Sequence, residues 1–170
     1  MDEIEVTINN KTRTQFFGDL FQKYPDLETN LINDFKKYKS DGVLPSYFGR
    51  DVAYVKPYSA EKACLMHIHL KIPPDKFPDN RVQYYRTHKE GNPEKDICLV
   101  YVQGLIEDHR YSIIAILHPD AHLKARDYKV MDELAQIAQK FRDENQPTPV
   151  GFLLPEYLKL LILFDCSKLE

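Results

Sequence analysis

The sequence predicts a single α+β domain: a small antiparallel sheet with an N-terminal helical hairpin and a C-terminal helix. Three stretches give this. Residues 97–103 (ICLVYVQ) and 111–117 (YSIIAIL) are apolar strands joined by a polar turn through Glu107, Asp108, His109 and Arg110. The second of them is β-branched and apolar on both faces, the pattern of a strand covered on both sides, and it is the best candidate for the centre of the sheet. Two helix-like segments precede these strands, and MDELAQIAQKF follows them as an amphipathic helix.

The 170 residues, 43% hydrophobic and 29% charged, suffice for one domain with a real core. The start, MDEIEVTINN, lacks the pattern of a signal peptide, and no apolar run approaches a membrane span, which points to the cytoplasm. Three widely spaced cysteines, Cys64, Cys98 and Cys166, form no CxxC pair and read as buried thiols in a reducing compartment. A net charge of -3 excludes a global electrostatic footprint for nucleic acid, so a polyanion must be held by a local patch. One such patch lies between residues 117 and 129, where two Lys, one Arg and two His face two Asp.

Taken in order, EIEVTI alternates as a short first strand. Thr12 or Thr14 can cap a helix through FFGDLFQKY, which Pro25 ends. Leu27, Leu31, Ile32, Phe35 and Tyr38 then recur at helical spacing up to Gly42, and the pair of helices is expected to pack on the sheet. Lys36, Lys37 and Lys39 read as the solvated face of the second helix. VLPSYFGRDVAYVKPYSAEKA reads as ordered irregular chain, with Arg50 and Asp51 a local ion pair at a turn. In CLMHIHLKI, alternation puts Met66, Ile68, Leu70 and Ile72 on the core face, and Leu65, His67, His69 and Lys71 on the other.

The proline-rich segment PPDKFPDNRVQYYRTHKEGNPEKD is expected to wrap the outside, and it interleaves Arg81 and Arg86 with Tyr84 and Tyr85, a composition suited to stacking on bases while holding phosphates. After the central hairpin the last helix starts at Asp127, or at Asp120 if the basic cluster is itself helical, and buries Val130, Leu134, Ile137, Ala138 and Phe141. A final apolar run, EYLKLLILF, is expected to cover the core or an edge as helix or strand.

Three chemistries compete. His67 and His69, two apart on one strand face, have the spacing for a shared metal ion, with His118 or His122 as a third ligand, though no carboxylate matches. Nucleophilic hydrolysis lacks a nucleophile elbow. Metal-free cleavage of RNA needs a general base for the ribose 2'-OH, an acid for the leaving 5'-oxygen and a cation for the phosphorane charge. Histidine, with an ordinary pKa of about 6.5, serves either proton role, and arginine suits the phosphate. The candidates are His67, His69, Arg86, His122 and Arg126, the last two sharing a face if helical.

DFKKYKSDGVLPSYFGRD, MHIHL, YYRT, LVYVQG and IAILHPDAHLKARD, in this order and followed by a helix ending KFR, closely resemble the YafO family of bacterial type II toxins over residues 33–142. The resemblance implies a fold similar to RelE and ParE toxins and a ribosome-dependent endoribonuclease acting on mRNA, neutralised by a cognate, YafN-like antitoxin encoded beside it. It implies no cofactor. Carried over, the pattern marks His67 and His69, Arg86, the group His122, Arg126 and Asp127, and the run Phe48, Gly49, Arg50 and Asp51. The chain departs from the family in its first two dozen residues, in HKEGNPEKD, in the extension 145–170 and in its acidity.

The sequence reading is thus a single toxin domain over residues 1–170 that cuts mRNA without metal. Arg86 and Arg126 hold the phosphate, His67 and His122 transfer protons, His69 supports them, and Asp127 orients His122 or pairs with Arg126. Arg50, Arg81, Tyr84, Tyr85 and Lys124 contact RNA. A non-catalytic RNA- or protein-binding relative is the alternative from another class, and a His-ligated metalloenzyme the third.

Overall fold

The computed structural model describes residues 3–88 and 92–144. The run EYLKLLILF, the extension 145–170 and Cys166 lie outside the described residues; of the other cysteines expected to be buried, Cys98 is, whereas Cys64, in the turn between α3 (Tyr58–Lys62) and β3 (Met66–Leu70), is exposed.

The expected hairpin of strands forms β4 (Cys98–Gln103) and β5 (Arg110–Leu117), antiparallel, with Gly104 at the turn. A Cβ on Gly104 would stand 2.4 Å from the Glu107 carbonyl oxygen, so only glycine allows this turn to close. Before them come β1 (Glu5–Ile8), α1 (Arg13–Lys23), α2 (Leu27–Asp41), β2 (Phe48–Ala53), α3 (Tyr58–Lys62) and β3 (Met66–Leu70), and after them α4 (Ala121–Lys124) and α5 (Tyr128–Asp143). The sheet order is β1-β5-β4-β3-β2. Both faces of β5 are covered as its composition requires, but β4 is the middle strand.

The sheet is not wholly antiparallel. β1 lies parallel to β5, on the edge that β4 leaves free, and the long intervening chain supplies the crossover that a parallel pair needs. A second difference concerns residues 48–62, read from sequence as irregular. They form β2 and α3; the register shifts between Phe48 and Asp51, so the strand lacks the strict alternation that marks one.

Two cores result, one on each face of the sheet. The α1–α2 hairpin buries Phe17, Leu20, Leu27, Leu31 and Phe35 against Phe48, Ile68, Leu70, Leu99 and Ile113. On the opposite face α5 buries Met131, Leu134, Ala135 and Ala138 against Val100, Val102, Ile114 and Leu117, with Ala60, Ala63 and Leu65 beside them. The α5 stripe is turned slightly from the expected one: Leu134 and Ala138 are fully buried, whereas Val130, Ile137 and Phe141 are partly so. Gly42, at φ 70, ends α2 as a left-handed cap. Thr12 sits at the start of α1, but its hydroxyl donates to the Ile114 carbonyl at 2.5 Å and so ties the helix to β5. Asp127 caps α5 by accepting from the Lys129 N–H at 2.9 Å.

Lys39 is not solvated. Its ammonium lies 2.8 Å from Asp51, with the Tyr101 hydroxyl at 2.7 Å, and the two charged side chains are only 15% and 11% exposed. Asp51 therefore pairs across from β2 to α2 and not with its neighbour Arg50, which is left for the other face. The arrangement as a whole is consistent with the RelE-like α+β fold that the resemblance implies.

Candidate functional site

Strand alternation delivers the site. Ile68 and Leu70 go into the hairpin core, so His67 and His69 stand on the opposite face of β3, the face of Cys98 and Val100. That face is covered over β4 and β5 by α5. Beside it, residues 87–88 and 92–96 and the turn into α4 border a cavity of about 590 Å³ lined by Arg50, His69, His88, Asp96, His122 and Arg126, among others.

Each wall has a local cause. Arg50 follows Gly49 on β2, and its backbone N–H donates to the Arg86 carbonyl at 2.9 Å, binding the 86–88 segment to the strand. A Cβ on Gly49 would lie 2.2 Å from that same carbonyl oxygen and 3.0 Å from the Cβ of His69, so the close approach needs glycine. The Arg50 guanidinium stacks over Tyr84 at 4.1 Å from the ring centroid and donates through Nε to the Tyr84 carbonyl at 2.6 Å. His88 is fixed by its Nε2, 2.9 Å from the Ile97 carbonyl oxygen.

Asp96, only 7% exposed, organises the far wall. Its carboxylate accepts from the backbone N–H of His122 at 2.8 Å, while its carbonyl accepts from Ala121 N–H at 3.0 Å, so the start of α4 is docked on it. The same carboxylate sits 2.7 Å and 2.8 Å from Nδ1 of His122. With Nδ1–H donated to Asp96, the neutral ring presents an unprotonated Nε2, and the half-exposed imidazole borders the cavity. Asp120, at φ 53, holds the turn in a left-handed conformation through its N–H bond to the Pro93 carbonyl at 2.8 Å.

Four imidazoles cluster here. The centroid of His69 is 5.3 Å from those of both His88 and His122 and 5.6 Å from that of His67, whose ring stacks on Tyr54. Burial, reinforced by the neighbouring histidines, lowers the pKa of His69 to about 3. Burial, with His122 nearby, lowers that of His67 to about 4. His88 is lowered too, mainly by burial. His67 and His69 are therefore neutral at pH 7, which fits them to wall the site or to ligate, not to act as resident acids.

Of the residues anticipated from sequence, His69, His122, Arg126 and Arg50 meet in this cavity. Others do not. Arg86 is 7% exposed, and its guanidinium donates to the carbonyls of Arg81 at 2.8 Å and Phe48 at 3.5 Å; it fastens the 81–86 turn to β2 and does not line the cavity. Asp127 caps α5, and the carboxylate that orients His122 is Asp96. Lys124 donates to the His118 carbonyl. Arg81, Tyr84 and Tyr85 are exposed on and before a short 3-10 turn, Gln83–Tyr85, with Tyr84 joined to the cavity through Arg50. Sequence reasoning missed His88 and Asp96 because both flank HKEGNPEKD, where no spacing distinguishes one polar residue from the next. The signal available was an acid immediately before an apolar strand.

Two arginines lining one cavity with a carboxylate-held imidazole make a site chemically suited to proton transfer beside a phosphate, on a small α+β fold. The chain belongs to the YafO toxin family of type II toxin–antitoxin systems: the family described as "Toxin YafO, type II toxin-antitoxin system" matches residues 36–143. It is similar to the "mRNA interferase toxin YafO" of Escherichia coli (strain K12), 37% identical over 115 residues that make up 66% of this chain and 83% of the relative. No solved structure matches significantly. A type II toxin implies an antitoxin partner. Among the described residues no helix is long and apolar enough to cross a membrane.

Proposed function

We propose that this chain is an endoribonuclease that cleaves mRNA on the ribosome, in the cytoplasm, by general acid–base chemistry that requires no metal ion. The observation that carries the reading is the Asp96–His122 pair at the edge of a cavity also lined by Arg50 and Arg126. His122, with Nδ1 held by Asp96, takes the ribose 2'-OH proton at Nε2, and the oxygen so activated attacks the adjacent phosphorus. Arg50 and Arg126 carry the charge that gathers on the phosphorane oxygens. The 5'-oxygen leaves as its bond to phosphorus breaks and is protonated by solvent, since His88, its pKa lowered by burial, already engages the Ile97 carbonyl. His69 forms the wall that keeps these groups apart and partly dry. Exposed Tyr84 and Tyr85, with Arg81, offer stacking and charge to the strand beyond the cleaved bond.

The ribosome is proposed as the template that fixes the in-line geometry of a flexible RNA strand over this cavity. The antitoxin is proposed to be a YafN-like product of the adjacent gene whose acidic segment covers Arg50 and Arg126. The test is cleavage of mRNA in a translating extract, with and without a chelator that takes transition metals and leaves magnesium to the ribosome. Cutting that survives chelation and disappears in His122→Ala supports the reading. Cutting that chelation abolishes would replace it with metal-assisted hydrolysis.

A further inference from the structure

Behind the reacting cavity lies a second constellation that the acid–base reaction does not use. A ring nitrogen of His67, a ring nitrogen of His69 and the Sγ of Cys98 all lie within 4.8 Å of one another. They come from adjacent strands, and the register that sets His69 opposite Cys98 places them together by backbone pairing alone. We propose that His67, His69 and Cys98 form a binding site for one divalent transition-metal ion of the zinc class.

Four observations carry this. The first is distance. Zinc held by a thiolate at about 2.3 Å and an imidazole at about 2.0 Å, with a tetrahedral angle between them, sets sulfur and nitrogen about 3.5 Å apart. The Sγ of Cys98 and Nδ1 of His69 are 3.8 Å apart, so a small side-chain movement suffices. The second is an unmet need: Nδ1 of His67 is buried with no hydrogen-bond partner, a condition that costs free energy unless something occupies it.

The third is ligand chemistry. One thiolate with two imidazoles is a borderline-soft set that selects zinc-like ions over magnesium or calcium, and a fourth position remains for water. The fourth separates this trio from the neighbouring one, His69, His88 and Asp96, which is also compact. There Asp96 already holds His122 through side chain and backbone, and His88 already engages Ile97. Because His69 belongs to both trios, one ion occupies one of them, and the less committed ligands are His67 and Cys98.

Binding is a ligand substitution without redox change. The metal–sulfur bond forms as the S–H bond breaks, and the thiol proton goes to solvent, so one proton is released per ion. Because binding releases this proton, affinity climbs with pH.

The experiment is titration of the full-length chain, free of RNA, with cobalt(II) followed by zinc. The expected result is a near-ultraviolet thiolate-to-cobalt charge-transfer band that saturates at one equivalent and vanishes when zinc displaces cobalt, with one proton released in weak buffer as cobalt binds and none further on exchange for zinc. Cys98→Ser should abolish the band. His67→Ala should weaken binding by more than the roughly 10–100-fold that loss of an outer-shell partner typically causes, and His88→Ala should leave it unchanged, all three variants retaining the wild-type circular dichroism. Absence of the band, its persistence in Cys98→Ser, or its loss in His88→Ala with retention in His67→Ala would overturn the assignment. Since no RNA is present, this outcome is independent of the cleavage reading.

Discussion

An imidazole contributes to proton transfer only when its surroundings decide which nitrogen carries the hydrogen, and Asp96 makes that decision for His122. Asp96→Asn keeps the size of the side chain but allows its amide to donate, which favours the wrong tautomer. It is expected to lower the rate of mRNA cutting by at least about 10²-fold, measured in a translating extract, with thermal unfolding little changed. His67 and His69 give a second prediction, on stability. In the unfolded chain each protonates near pH 6.5, whereas in the fold they do so only at about 4 and about 3. Between pH 6.5 and these values the unfolded state binds more protons, so stability is complete above pH 6.5 and falls steadily as the solution is acidified. The urea midpoint should drop from pH 7.5 to pH 5, and His67→Phe with His69→Leu should flatten that slope. An equally steep slope in the double variant would show that these two residues titrate normally in the fold.

At the scale of elements, the contact between α2 and β2 holds the Arg50 wall in place, and it depends on a nearly buried ion pair. Asp51 accepts from Lys39 and from the hydroxyls of Tyr38 and Tyr101. Burial above all pushes the Tyr38 hydroxyl up to about 12, so it stays protonated and able to donate. Asp51→Ala should destabilise the protein by about 3–5 kcal/mol, because it strands a buried ammonium, and adding Lys39→Met should recover much of the loss. Chemical denaturation of both variants checks this. Gly49→Ala should cost about 1–3 kcal/mol and lower activity with it, since the added carbon forces β2 away from the 86–88 segment.

These elements also show how far the sequence could be read. The helical hairpin, the MHIHL strand, the β4–β5 pair and α5 were legible because their apolar side chains keep one period over several residues. β2 was not, since its register shift breaks that period. Lys39 reads as solvated because its partners come from a strand and an aromatic cluster far along the chain. His122 and Arg126 were legible as a pair, and they meet in the cavity although α4 ends between them. His88 and Asp96 were not legible: their placement depends on how a proline-rich segment folds back on β3, which tertiary contacts decide. Arg86 shows the converse, a residue of suitable chemistry that the fold engages with backbone carbonyls.

For the whole molecule, a net charge of -3 offers no surface-wide attraction to a polyanion, so the proposed binding of RNA and of an acidic antitoxin segment is expected to concentrate around Arg50 and Arg126. Association with the antitoxin should therefore slow as salt rises, while the lifetime of the complex changes little, because screening weakens steering more than apolar burial. Arg126→Glu should slow association further, and stopped-flow rates at low and high salt check both. The central claim, that the Asp96–His122 pair beside the two arginines cuts mRNA on the ribosome, is tested most directly by mapping mRNA ends in a translating extract. With wild-type protein and a chelator that takes transition metals but leaves magnesium to the ribosome, new ends should appear within translated regions and be absent from naked RNA, and His122→Ala, folded by circular dichroism, should produce none. Wild-type levels of cutting by His122→Ala would contradict the account.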